Sequence, residues 1–102
     1  MKRILEKKFR KIITLEDEML QTLNYIIENF DYVINPNCNK DDILAAAQRL
    51  KRATLIEKQN IVSILKQIES AESVSNFKEC FEEADKKIEE LNKHIEALSV
   101  YE

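Results

Sequence analysis

Few side chains in this sequence have the types and spacing that chemistry needs. Glu90 and His94 stand four residues apart, a spacing that puts both on one helix face, where they could share a metal ion or tune the imidazole. A metal site needs three or four ligands, and the Glu-x-x-His pairs of di-metal helical bundles are missing from the sequence. The pair therefore reads as solvated surface. Cys80 lies beside Lys78 but among Glu79, Glu82 and Glu83, negative surroundings that work against a nucleophilic thiolate. Cys38, in an Asn-rich stretch beside Lys40, has no base or oxyanion hole and is open at most to adventitious oxidation. Two cysteines this far apart make neither a disulfide framework nor a zinc cluster. No catalytic residue, cofactor or metal is expected.

The more informative residues are polar ones inside apolar stripes, namely Glu16, Thr54 and Glu57. If residues 1–34 and 40–69 form antiparallel helices, facing positions have numbers summing to roughly 75, so Glu16 and Glu57 share a level. Two carboxylates in one layer could hold a cation or a basic ligand, or mark where a partner displaces water. They could instead snorkel to solvent beside Lys58 or Lys87, or form a polar layer that sets helix register.

The elements that position these groups follow from composition and periodicity. The 102 residues are 44% hydrophobic and 34% charged, enough for one core. With Gly 0 and Pro 1, phosphate loops, nucleophile elbows and primed hairpins are excluded in their usual forms, since each needs glycine where φ is positive or backbone meets ligand. Leu5, Phe9, Ile12, Met19, Leu23, Ile26 and Phe30 recur at helical spacing, with Ile13, Leu20, Ile27 and Ile34 alongside. Asn35-Pro36-Asn37 ends that helix near Ile34. A second helix starts at Asn39-Lys40-Asp41-Asp42, where carboxylates suit the positive end of the dipole. Its main face is Ile43, Ala46, Ala47, Leu50, Ile61, Ile64, Leu65 and Ile68, and Leu44, Leu55 and Val62 make a second stripe. A third begins at Asn76, with Glu79 placed for a capping box, and carries the seam Phe77, Phe81, Ala84, Ile88, Leu91, Ile95 and Leu98.

The predicted fold is an all-α, antiparallel up-down-up bundle of three long helices, about 2–34, 40–69 and 76–99, in a single domain spanning 1–102. Thr14-Leu15-Glu16-Asp17-Glu18 also resembles a helix start, so a break at Thr14 giving four helices stays open beside a continuous or kinked first helix. The unbroken 4-3 spacing from 5 to 30 favours continuity.

Charge is segregated. Residues 1–13 carry six basic groups and one acidic, 14–39 five acidic and none basic, 40–68 six basic and three acidic, and 69–102 four basic and ten acidic. An up-down-up bundle sets opposite signs against each other, with Lys7, Lys8, Arg10 and Lys11 near Glu79, Glu82, Glu83 and Asp85, and the acidic half of the first helix beside Arg49, Lys51 and Arg52. The alternative is an amphipathic anchor for an anionic membrane surface or nucleic acid, using Lys2, Arg3, Lys7, Lys8, Arg10 and Lys11. Nucleic acid is disfavoured, because the chain is acidic as a whole, with pI ≈ 5.3. No apolar run reaches the ~20 residues of a membrane span, and no signal-peptide pattern follows the basic start. A cytoplasmic protein is expected.

Long helices with short loops leave mainly side-chain faces for recognition. The expected function is a non-catalytic protein–protein interaction module, an adaptor, chaperone-like or inhibitory protein that self-associates or binds a protein partner. Two stripes on the second helix exceed what three helices hide from one another, which points to Leu44, Leu55, Ile56 and Val62 as the partner face. Tyr25, Tyr32 and Tyr101 add amphipathic groups of the interface type.

Overall fold

The computed structural model describes residues 2–29, 40–72 and 75–99. It is an all-α bundle of three helices, α1 (Lys2–Glu28), α2 (Lys40–Ser70) and α3 (Phe77–Leu98). Their 27, 31 and 22 residues correspond to about 40, 46 and 33 Å at 1.5 Å per residue, and the bundle measures 52 × 19 × 15 Å. Among the described residues no φ angle is positive, as expected of a chain without glycine.

α1 runs through Thr14 without a break, so the four-helix alternative does not occur. The Thr14 hydroxyl donates to the Arg10 carbonyl, 3.1 Å away, bonding back into the preceding turn instead of capping a new helix. α1 closes at Glu28, and both the backbone N–H and the side-chain amide of Asn29 donate to the Tyr25 carbonyl. The expected boundary near Ile34, together with Tyr32 and Cys38, lies outside the described residues. At the other loop the capping box is absent. Asn76 makes no side-chain cap, and its carbonyl instead accepts from the Cys80 N–H at 3.1 Å. α2 is finished by Ser70, whose hydroxyl bonds the Lys66 and Gln67 carbonyls, and by Lys2 of α1. The Lys2 ammonium donates to the carbonyls of Glu69 and Ala71 at 3.0 and 2.6 Å, placing a cation at the negative end of the α2 dipole.

Ion pairs confirm the up-down-up order. Lys58 meets Asp17 at 2.5 Å, numbers that sum to 75, while Arg10 meets Glu69 at 3.1 Å. Lys8 pairs with Asp85 and sits 4.4 Å from the centre of the Phe81 ring, while Leu23 and Ile26 meet Leu98 around one cavity, which together set α1 and α3 parallel. The anticipated contact between the basic start of the chain and the acidic start of α3 thus forms through Lys8. Arg49, Lys51 and Arg52 make no ion pair with α1 among the described residues, where Lys58 takes that role.

The packing is unequal. α1 lies along both α2 and α3, whereas α2 and α3 hardly approach each other. α1 therefore holds ten buried residues, from Thr22 on one flank through Leu5, Ile12 and Leu23 to Leu20 on the other, an arc of about 160° at 100° per residue. α2 contributes Ala47, Thr54, Leu65 and Ile68 to the buried set, and α3 contributes Ala84 and Leu91. Several residues of the expected α2 core face are not enclosed. Ala46 is exposed, Ile64 is 39% exposed, and Leu50 and Ile61 are half-buried, because the side of α2 turned toward α3 has no close neighbour among the described residues. Ile27 on α1 is likewise half-buried.

Candidate interaction groove

The gap between α2 and α3 is a groove floored by α1. Three cavities follow one another along it. At one end, a cavity of about 290 Å³ is bounded by Ile43, Ala46 and Leu50 of α2, Leu98 of α3, and Leu23 and Ile26 below. The middle cavity, about 190 Å³, lies over Met19, between Ala53, Thr54 and Glu57 on one rim and Glu90, Leu91 and His94 on the other. The far cavity, about 270 Å³, has Phe9 and Ile12 as floor and Ile61, Ile64, Cys80 and Ala84 as walls. The helix periodicity that builds each rim is the one read from the sequence. What opens the groove is that, among the described residues, its apolar residues have α1 as their only close neighbour.

A polar tie crosses the groove between the second and third cavities. Lys87 lines both and forms an ion pair with Glu57 on the opposite rim. The register of α1 puts Glu16 between the floor residues Ile12 and Met19, at the level of this tie. Glu16 is 0% exposed, and neither of its carboxylate oxygens has a hydrogen-bond partner among the described residues. Burial pushes its pKa up from 4.5 to about 7 and Asp17 adds to the rise, while the attractions of Lys87 and Lys58 hold it down. The shared level of Glu16 and Glu57 is realised, but the two carboxylates behave differently. Glu57 reaches Lys87 at the half-exposed rim, and Glu16 does not snorkel, because it projects from within the enclosed α1 arc, between the directions of Leu23 and Phe9. Thr54 is buried and satisfies its hydroxyl by donating to the Leu50 carbonyl at 2.7 Å.

The surface residues singled out from sequence fall on three different sides. Leu44 and Val62 are half-buried and Leu55 is 41% exposed. They share the edge of α2 away from α3, where Leu55, Gln48, Lys51, Arg52 and Ile27 surround a separate depression. Ile56, 62% exposed, follows Leu55 directly and so points about 100° away from it. Tyr25 is exposed on α1. Among the basic residues, Lys2, Lys8 and Arg10 are engaged within the bundle, and Arg3, Lys7 and Lys11 are exposed. The apolar side of that segment, Leu5, Phe9 and Ile12, is core.

His94 is exposed and shares the middle cavity with Glu90, yet among the described residues no three His, Cys, Asp or Glu side chains gather closely enough to hold a metal ion. Cys80 is a half-buried free thiol in the far cavity wall. Sequence reasoning missed the groove as a unit. The signal that could have found it is the pair of small residues Ala46 and Ala53 at a seven-residue interval on the α2 rim, opposite the α3 seam. No helix is long and apolar enough to cross a membrane among the described residues. Set against known family models, curated proteins and solved structures, the chain matches none of them.

Proposed function

We propose that this chain is a small non-catalytic helical-bundle protein that acts by protein–protein interaction, as an adaptor, chaperone-like or inhibitory module. The observation that carries this reading is the open side of the bundle. α2 and α3 each use α1 as their packing partner and leave an apolar groove along their length, where a fourth helix would complete the four-helix arrangement common to such bundles. Leu55, Ile56 and Tyr25 are further exposed hydrophobic groups through which copies of the chain could associate. A cytoplasmic setting belongs to the same proposal. Light scattering at micromolar concentration, together with binding of a hydrophobic dye, tests it. Self-association or dye binding that is reduced by Ala53→Trp supports the module, and a clean monomer that binds neither dye nor any helical peptide refutes it.

A second reading has one observation in its favour. Arg3, Lys7 and Lys11 are exposed on the outer side of α1 beside the exposed Ile4, a face able to lie on an anionic membrane surface. Co-sedimentation with phosphatidylserine vesicles that falls steeply with salt supports it, and equal recovery with neutral vesicles removes it.

A further inference from the structure

We infer that the groove between α2 and α3 receives a basic amphipathic helix of about 20 residues from a partner protein. The inference rests on the interaction-module reading above and adds the chemistry of the partner.

Shape sets the length. The cavities run from the level of Ile43 and Leu98 to that of Ile64 and Cys80, 21 residues along α2, or about 32 Å, which a 20-residue helix spans. Their walls and floor are largely apolar, and Ala46 and Ala53 on the exposed α2 rim leave room for a helix backbone to come close. An occupant would present apolar residues at i, i+3, i+4 and i+7 to this surface.

Charge sets the sign. The carboxylates lining the cavities are Asp42, Glu57, Glu83 and Glu90, against the single ammonium of Lys87. Lys87 is taken up by Glu57, and Asp42, Glu83 and Glu90 have no ion pair among the described residues. Beneath them Glu16 adds a buried carboxyl with no hydrogen-bond partner among the described residues. An occupant with Lys or Arg flanking its apolar stripe meets this field, and an acidic one is repelled. This chain's own basic amphipathic helix is α1, whose apolar face is already core. The outer edge of α2 carries Leu44, Leu55 and Val62 in line, but 11 and 7 residues apart with Gln48, Lys51 and Arg52 between the first two, too sparse to give an apolar contact at every turn. Among the described residues a second copy therefore offers no matching helix, and the occupant is a different protein.

Three labelled 20-residue peptides test this by fluorescence anisotropy: an amphipathic Leu/Lys helix, the corresponding Leu/Glu helix, and a Leu/Lys scramble without an apolar face. The Leu/Lys helix is expected to bind one to one, at least about tenfold more tightly than the other two. Ala53→Trp, which fills the middle of the groove from an exposed position, and Glu83→Lys with Glu90→Lys, which reverses the charge of the α3 rim, should each weaken it about tenfold. Thermal melts confirm that each variant is folded. Leu/Glu binding as tight as Leu/Lys, and blocked by Ala53→Trp, overturns the basic partner and leaves the module reading intact. Leu/Lys binding indifferent to Ala53→Trp shows diffuse attraction and overturns the groove. A dimer that binds no peptide shows a second copy as the occupant, and a monomer that binds none removes both readings.

Discussion

Replacing Glu16 by Leu should stabilise the bundle far more at pH 8 than at pH 4.5. The folded carboxyl, buried and without a hydrogen-bond partner, titrates at about 7 against 4.5 when unfolded. Below pH 4.5 both states hold the proton, so Glu16 contributes no slope. Between 4.5 and 7 the folded state holds a proton that the unfolded chain has released, and stability falls as pH rises. Above 7 both states are ionised, and the full penalty remains. Two and a half pKa units at about 1.36 kcal/mol each give about 3 kcal/mol, a large part of the roughly 5–15 kcal/mol that holds a small domain together. Urea unfolding of the wild type and Glu16→Leu at pH 4.5 and pH 8 reads this directly, since all other titrating groups are shared and cancel in the difference. The variant should gain about 3 kcal/mol more at pH 8 than at pH 4.5. A difference that is the same at both pH values, within about 0.5 kcal/mol, would refute the argument that this carboxylate is ionised inside the bundle at a cost.

Burial separates the core substitutions into two groups. Leu23→Ala and Leu91→Ala, at 0% and 3% exposure, should each cost about 3–4 kcal/mol in chemical denaturation, whereas Leu50→Ala and Ile61→Ala, on the groove walls, should cost about 1–2 kcal/mol. Equal losses at all four would mean the groove is closed. Lys8→Ala removes both the Asp85 ion pair and the cation above Phe81. It should cost about 0.5–1.5 kcal/mol, and Lys8→Met should recover part of that loss through packing on the ring. Lys8→Ala without effect on unfolding would show that the contact between α1 and the start of α3 adds nothing to stability.

The apolar spacing from Leu5 to Ile26 was enough to carry α1 through Thr14, because a helix register that stays in phase on both sides of a polar cluster leaves no residue to absorb a break. The register sum near 75 brought Glu16 level with Glu57 and Asp17 onto Lys58, since antiparallel rods of equal rise per residue must meet in that order. Alternating charge blocks foretold Lys8 against α3. The boundaries were less legible. Lys2 closing α2 and the missing cap at Asn76 depend on where chain ends arrive in space, which no local pattern contains.

Sequence alone determined three amphipathic helices, their order and direction, and the level at which the acidic residues meet, because each of these follows from the period of the helix and the sign of its charges. Tertiary structure decided which apolar stripes are enclosed. Periodicity marks the face of a helix that avoids water, but not how many neighbours share that face, and three helices whose contacts compete need not close all three seams. α1 wins two neighbours and encloses Glu16 within its arc, and α2 and α3, each drawn to α1, leave Ala46, Leu50 and Ile64 along an open groove.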